Sequence, residues 1–421
     1  MQPSITQSDQ SEARRIPLWR NRDYLVLWSG QTVSLVGTGI SQTAFPLLVW
    51  DLTHSAAQVG FVGGLGTLPY VFLSLLVGAL IDRWNRKRVM ILCDIGRALN
   101  LASVLVALVF GQLTVIQLYF NALTEGTLFV FFNLAEVACL PRVVAKKQLP
   151  AATAQNEATQ GITALLSPLL GAALYSLRQA LPFLADAVSY VGSVVSLMFI
   201  RTEFQGARTP ARRNLRVEIS EGLRWLWHQP LIRYMAFLTG GSNFVSSGLI
   251  PILLVLVKQK EGSSFAFGAI LTIGGIGGII GSLLGPTIQK RFRFGQVIIA
   301  TIWIQALIWP LYAIAPNPIF LGLITAVIFT TAPIYNVVQF SYRLALIPDE
   351  LQGRVNSVFR LLAFGLQPLG WALTGVLIQT IQVVPTIMLL FICLFALAVL
   401  TTLNRNVRHA APLAAIQETK T

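Results

Sequence analysis

Runs of predominantly apolar residues follow one another along almost the whole chain, broken by short polar turns. A helix needs roughly 20 such residues to cross the hydrocarbon of a bilayer. Twelve stretches meet that length, over 24–50, 57–81, 89–110, 113–138, 151–177, 180–200, 231–257, 265–289, 296–315, 318–342, 355–379 and 384–403. Turns as brief as 111–113 and 315–318 separate some of them. The first, fifth and seventh are long, and are expected to tilt or to extend past the bilayer.

Composition sharpens this picture. Of 421 residues, 54% are apolar and 11% are charged, whereas soluble domains run to about a quarter charged. So few charges cannot cover a water-facing surface of this size, which excludes a soluble enzyme and a disordered chain. The predicted fold class is an all-α integral membrane protein with twelve transmembrane helices in two six-helix bundles. Its expected parts are a tail at 1–23, a first bundle at 24–200, a linker at 201–230, a second bundle at 231–403 and a tail at 404–421. The N-terminal stretch is polar and lacks the apolar core of a signal peptide, so the first span is expected to direct insertion itself.

The net charge of +14 changes meaning once it is mapped onto loops. With an internal N-terminus, 27 of the basic residues fall on inside segments and 3 outside, while Arg97 lies within a span. The positive-inside rule therefore assigns both termini to the cytoplasm of a cell (inner) membrane. The basic residues are orientation signals and contacts to anionic lipid headgroups, not a nucleic-acid footprint. Cys93, Cys139 and Cys393 sit in or beside apolar stretches, and the three histidines are scattered, so no metal site is expected.

The longest loop divides the chain into two six-span halves. Leu215, Ile219, Leu223 and Leu226 share one helical face there, with Trp225 and Trp227 close by and Arg216 and Arg224 among them. That pattern predicts a helix lying in the cytoplasmic interface. A weak repeat links the halves. Asn156 precedes Pro168 by twelve residues in the fifth span, and Asn356 precedes Pro368 by twelve in the eleventh. Pro168 and Gly171, with Pro368 and Gly370, are the expected packing and hinge positions.

The most informative segment joins spans two and three: Gly78, Leu80, Asp82, Arg83, Asn85, Arg86, Lys87 and Arg88. Gly78 suits close approach of another helix. Asp82 suits a helix cap or an ion pair, Asn85 a turn with positive φ, and Arg86 a bridge to another helix. The segment resembles the signature loop of the major facilitator superfamily, with Asn85 where a glycine is usual. The opening NRDYLVLWSGQTVSLVGTGISQTAFPLLVW, the third-span start at 89–97 and LQGRVNSVFR at 351–360 are similar to the branch that holds macrolide efflux pumps and the enterobactin exporter. The resemblance covers about 20–403. It implies that Asp82 and Arg86, with an acid on span four, latch the two halves in the outward-open state. By position at the cytoplasmic end of span four that acid is Glu136. Thr163 to Ala172, with Ser167 and Pro168, resembles an antiporter signature in which three glycines are replaced by Thr, Ser and Ala. The equivalent loop of the second half, 281–291, lacks the acid.

Ionisable residues inside spans are costly and are functional candidates. Glu125, near the middle of span four, is the candidate proton carrier, the other reading being a buried hydrogen-bonded glutamate. Asp94 and Arg97, at i and i+3, are expected to pair with each other or with the signature loop. Glu157 and Asp186 read as interfacial. Gln31, Ser34, Thr38, Ser41 and Gln42 form a polar stripe on span one, at spacings that share a face. With Asn243, Tyr335, Asn336 and Gln339 they are the expected substrate-cavity residues, helix–helix hydrogen bonding being the competing role. The glycines at 274–285 predict close helix packing, not a phosphate loop.

The resemblance implies a secondary transporter that works by alternating access, most simply proton-coupled efflux of an amphipathic small molecule such as a macrolide-like drug or a siderophore. No enzyme activity is expected, nor any cofactor beyond the coupling proton. The expected partners are that substrate and membrane lipids, and the protein is expected to be monomeric. A lipid or lysophospholipid transporter is the alternative. A channel or a membrane-embedded enzyme stands further off.

Overall fold

The computed structural model describes residues 17–81, 83–204 and 215–410. Asp82, the acid of the signature loop, lies outside the described residues, as do most of the N-terminal tail, the first part of the linker and the end of the C-terminal tail. Among the described residues, twelve helices are long and apolar enough to cross a membrane. Spans 1 to 6 are Arg22–Thr53, Ala56–Gly78, Arg86–Val109, Val115–Val143, Leu149–Leu177 and Leu181–Phe199. Spans 7 to 12 are Pro230–Gln259, Ser264–Arg291, Phe294–Ile314, Pro318–Leu346, Gln352–Ile381 and Val383–Leu403. The chain is a multi-pass membrane protein. The loop joining spans 2 and 3 opens on the same face as the described chain ends. That face collects the basic residues and is called the basic face below.

Local chemistry sets several boundaries. Asn21, Thr114, Ser263 and Asn317 each accept a hydrogen bond from a backbone N–H three residues on, capping spans 1, 4, 8 and 10. Span 7 is interrupted at Gly248, and span 11 between Phe364 and Gln367. Asn85 differs from its expected conformation. It sits at φ −68°, and its side chain caps span 3 by accepting from the Arg88 N–H at 3.1 Å. A capping asparagine needs no positive φ, which is why the loop tolerates the loss of glycine here. Gly78 departs from expectation as well, since a Cβ built there would meet nothing within 4 Å.

Helix packing follows the small residues. A side chain at Gly277 or Gly281 of span 8 would run into the Ala326 or Thr330 carbonyl of span 10, so these two backbones touch directly. The Thr330 hydroxyl donates across the same seam to the Gly277 carbonyl at 3.0 Å. The two halves meet through a pair of equivalent seams. In one, span 5 presents the Pro168 carbonyl to Gly268 of span 8. In the other, span 11 presents the Pro368 carbonyl to Gly64 of span 2. Within each half, the glycine just beyond that proline faces a neighbour: Gly171 meets Ile40 of span 1, and Gly370 meets Phe244 of span 7. Spans 5 and 11, 2 and 8, and 1 and 7 thus exchange under one two-fold relation, which gives the Asn–Pro repeat its physical content.

The linker helix, Leu215–His228, docks on span 11. Leu226 is fully buried and Glu221 pairs with Arg354, whereas Leu223 points outward at 42% exposure. Its packed side therefore agrees with the leucine spacing at Leu226 and half-buried Ile219 and departs from it at Leu223.

Candidate functional site

The interior of the first half holds a polar cluster drawn from four spans. Arg97 of span 3 points at Glu125 of span 4, with its Nη2 2.5 Å and its Nε 2.7 Å from Oε1. Tyr190 of span 6 donates to the same oxygen at 3.1 Å and lies under the guanidinium, whose carbon is 4.2 Å from the ring centroid. The Tyr190 hydroxyl also meets Thr38 of span 1 at 2.9 Å. A buried cation in hydrocarbon is costly unless compensated, and here a carboxylate and an aromatic face supply the compensation. The Arg97 side chain is 3% exposed and that of Glu125 is 28%. Glu125 Oε2 is buried and has no hydrogen-bond partner.

This arrangement corrects the expected Asp94–Arg97 pair. Asp94 is fully buried beside the Ser193 hydroxyl, without a well-formed hydrogen bond. Arg97 turns to the neighbouring helix, where Glu125 Oε1 accepts charge-assisted hydrogen bonds from both its Nε and its Nη2.

Asp186 is a second correction. Far from interfacial, it is 1% exposed, accepts from the Ser41 hydroxyl, and accepts from Ser189 at 3.2 Å. Proximity to a span end misled the sequence reading. The serine spacing on span 1 was the available signal. Glu157 is exposed, as expected.

The span 1 stripe faces span 6 rather than an open cavity. Gln31 donates to Ser193 at 3.3 Å, Thr38 meets Tyr190, and Ser34, Thr38 and Ser41 are buried. Gly30 and Gly37 bring the helices this close, since a Cβ at either would meet Ser196 or Ser189. Gln42 alone of the five is exposed. In the second half, Asn243 donates to the Ala363 carbonyl at 2.8 Å, and the Tyr335 hydroxyl meets Thr239 at 2.7 Å. Asn336 is exposed, and Gln339 is buried with its Nε2 unpartnered. Hydrogen bonding between helices thus accounts for Gln31, Thr38, Asn243 and Tyr335 as they stand here.

The signature loop is tied to its own half. Arg86, buried, donates from Nη1 to the Ala138 carbonyl of span 4 at 2.8 Å and to the Phe204 carbonyl at 3.4 Å. Lys87 donates to the Ile200 carbonyl at 2.7 Å, at the end of span 6. Arg83 and Arg88 are exposed. Glu136 forms no ion pair with Arg86 among the described residues; its charged neighbours are Asp94 and, beyond it, Arg97. The span 4 partner of Arg86 is a backbone carbonyl two residues further on.

Between the halves, Lys258 at the end of span 7 pairs with Asp51 at the end of span 1, Nζ to Oδ1 3.1 Å. Tyr175 donates to the other Asp51 oxygen at 2.9 Å, and Ser55 donates to Gln379 at 3.3 Å. Sequence reasoning missed this cluster because each member sits at a span end, where charged residues are ordinary. Close backbone approaches at Gly60, Gly64, Gly268 and Gly375 join the halves towards the same ends of their spans, and Gly275 meets Ala164 nearer mid-span. The halves are therefore joined at the face opposite the basic one.

Comparison with known proteins agrees with this architecture. Residues 16–419 match the family model described as transmembrane secretion effector. The multidrug efflux pump Tap of Mycolicibacterium fortuitum is 28% identical over 404 residues, covering 91% of this chain and 96% of that protein. Macrolide efflux protein A of Streptococcus pyogenes is 25% identical, covering 87% and 91%. The enterobactin exporter EntS of Salmonella typhi is 24% identical, covering 78% of each. Among solved structures, a bacterial homologue of the iron transporter ferroportin in its inward-facing state shares the fold at a TM-score of 0.73, with 14% identity and coverage of 92% and 99%.

Proposed function

The chain belongs to the transmembrane secretion effector family of the major facilitator superfamily, and from that premise we propose that it drives export of amphipathic small molecules with protons carried by Glu125. It is a secondary active efflux transporter. Its substrates are of the kind its relatives are named for: drugs, macrolides or a siderophore such as enterobactin. It works in the cytoplasmic membrane with the basic face inside, following the loop charges. In that orientation the Asp51–Lys258 side, where the halves are joined, faces outward.

The observation that carries the proton reading is the geometry at Glu125. Its Oε1 takes both Arg97 donors and the Tyr190 hydroxyl, while Oε2 has none. A proton added at Oε2 meets no competing donor and cancels the charge that holds Arg97. Arg97 then loses its nearest counter-ion and is left with the Tyr190 ring and the more distant Asp94. Relieving that imbalance requires spans 1, 3, 4 and 6 to shift together, which links proton occupancy to the angle between the halves. Loading from outside and release inside would cycle the pump. A coupling acid must differ in affinity for the proton between two conformations, and only a residue whose partners move can do so.

A host lacking its own pumps, expressing this protein, should become resistant to part of a panel of toxic compounds, and a protonophore should remove that resistance. With a compound found this way, Glu125→Gln should abolish substrate-driven proton movement in proteoliposomes. Unchanged proton movement would remove Glu125 from the mechanism.

A further inference from the structure

The charges inside the two halves are of opposite kinds. The first half buries Asp94 and Asp186 and holds Glu125 and Glu136. Spans 7 to 12 contain no aspartate or glutamate at all. They do contain arginines away from their outermost residues. Arg343 of span 10 is 5% exposed, and its guanidinium carbon lies 3.9 Å from the Phe359 ring centroid and 5.2 Å from that of Phe340. Its Nε has no hydrogen-bond partner, and no carboxylate pairs with it among the described residues. Arg360 of span 11, the residue after that Phe359, is its neighbouring charge.

Arg360 itself lines a cavity between spans 2, 4 and 11, on the basic side of the seam between the halves. The cavity walls are mainly apolar, including Leu75, Leu134, Leu361 and Phe364, with Ser74 and Ser357 at their polar positions. Across the cavity, Arg360 donates to the Tyr70 hydroxyl, a neutral acceptor. Tyr70 also meets Phe364 edge to face, with centroids 6.5 Å apart. The remaining guanidinium donors of Arg360 have no carboxylate among the described residues. By contrast Arg354, one turn and a half away, is matched by Glu221, and Lys258 by Asp51. Arg354 and Lys258 thus have acidic partners, while Arg360 at the cavity and Arg343 behind it have none among the described residues. Arg360 is exposed on the basic side of the seam, and an arginine cannot shed its charge, so an acid entering the cavity meets a fixed cation with free donors.

We propose that the missing partner is the exported molecule: an amphipathic compound bearing one acidic group, such as a carboxylate or a phosphate, whose apolar body lies along Leu75, Leu134 and Phe364 while Arg360 takes the acid. Arg343 is a positioning residue, adding positive potential through the Phe359 contact without touching the ligand. The inference rests on the export reading above and narrows its substrate class. It divides the work between the halves, with protons handled by the first and the substrate's acid by the second. Tyr70 links them, because an acid bound at Arg360 displaces its hydroxyl and removes the hydrogen bond between spans 2 and 11 on this side of their backbone seam.

A matched pair of probes tests this: dansyl-labelled undecanoic acid and its primary amide, titrated into the purified protein in nanodiscs of neutral phosphatidylcholine. The acid should bind at least about tenfold more tightly than the amide. Arg360→Gln should erase the difference, and Arg360→Lys should keep part of it, since lysine retains the charge but not the planar fork. Arg343→Gln should reduce the preference several-fold while leaving amide binding unchanged. Equal binding of acid and amide by the wild type, or a preference that survives Arg360→Gln, would overturn the proposal. So would loss of acid binding when anionic phosphatidylglycerol is added to the nanodiscs, because it would give the site to lipid. Efflux of a cationic dye from cells keeps the two readings apart. Export of the dye with no acid preference in binding sinks only this inference. Acid-specific, Arg360-dependent binding without export of any compound keeps the site and sinks the export reading.

Discussion

Lys258 Nζ lies 3.1 Å from Asp51 Oδ1, and among the described residues this is the ion pair that crosses between the two halves. Both side chains are about a quarter exposed, at 24% and 27%, so the pair is worth roughly 0.5–1 kcal/mol. That small amount suits a contact that must break in every cycle. Asp51→Asn should raise the labelling rate of a cysteine placed at Ser55 by about two- to fivefold, in a background where Cys93, Cys139 and Cys393 are alanine. Exchanging the two charges, Asp51→Lys with Lys258→Asp, should restore slow labelling. Labelling unaffected by Asp51→Asn would mean the seal does not depend on this pair.

Arg97 places two N–H donors on one oxygen of Glu125. Lysine keeps the charge but cannot reproduce that fork. Arg97→Lys should therefore fold normally and lower substrate-driven proton movement at least about tenfold. Retention of wild-type coupling would show that charge alone suffices at this position.

Asp186 holds Ser41 and Ser189 in a buried seam between spans 1 and 6. Asp186→Ala removes the carboxylate that joins the two hydroxyls and leaves them only their backbone acceptors, the Thr38 carbonyl for Ser41 and the residue 186 carbonyl for Ser189, at a cost of about 1–2 kcal/mol. Its unfolding midpoint in detergent should fall by several degrees, and Asp186→Asn, which keeps an acceptor oxygen, should recover most of the loss. Equal midpoints for alanine and wild type would show that the seam tolerates the gap.

Glycines at two different kinds of seam should fail in different ways. Gly277 faces the span 10 backbone inside one half, so Gly277→Val should lower expression and stability. Gly375 faces Ala56 and Gly60 across the halves. Gly375→Val should yield a folded protein whose opposite face cannot close, read as fast labelling at a Ser55→Cys reporter together with lost efflux. If both variants misfold alike, the distinction between internal and sliding seams is wrong.

The span pattern was legible because hydrocarbon imposes it: each helix must be apolar over its whole crossing, so length alone reveals it. The Asn–Pro repeat was legible for a similar reason, since Pro168 and Pro368 occupy equivalent seams. Side-chain pairing was not. Arg97 sits one turn from Asp94 in sequence and chose Glu125, because partner choice is set by where neighbouring helices fall and not by local spacing. Asp186 and Lys258 were hidden by position near span ends, where solvent explains a charge as easily as a partner does. The span 1 stripe was correctly seen as turned away from lipid, yet periodicity could not say whether protein or water lay opposite.

At Gly60, Gly64, Gly268 and Gly375 the halves meet glycine against backbone, and the Trp371 ring on Gly63 is the large side chain seated between them. Surfaces of that kind behave as a bearing: one can roll over the other with few knobs leaving a socket. The energy barrier to rocking then belongs to the latches at the rims, Asp51 with Lys258 on one side and Tyr70 with Arg360 on the other, so the pump's speed can be tuned by chemistry at its edges while its axle stays unchanged.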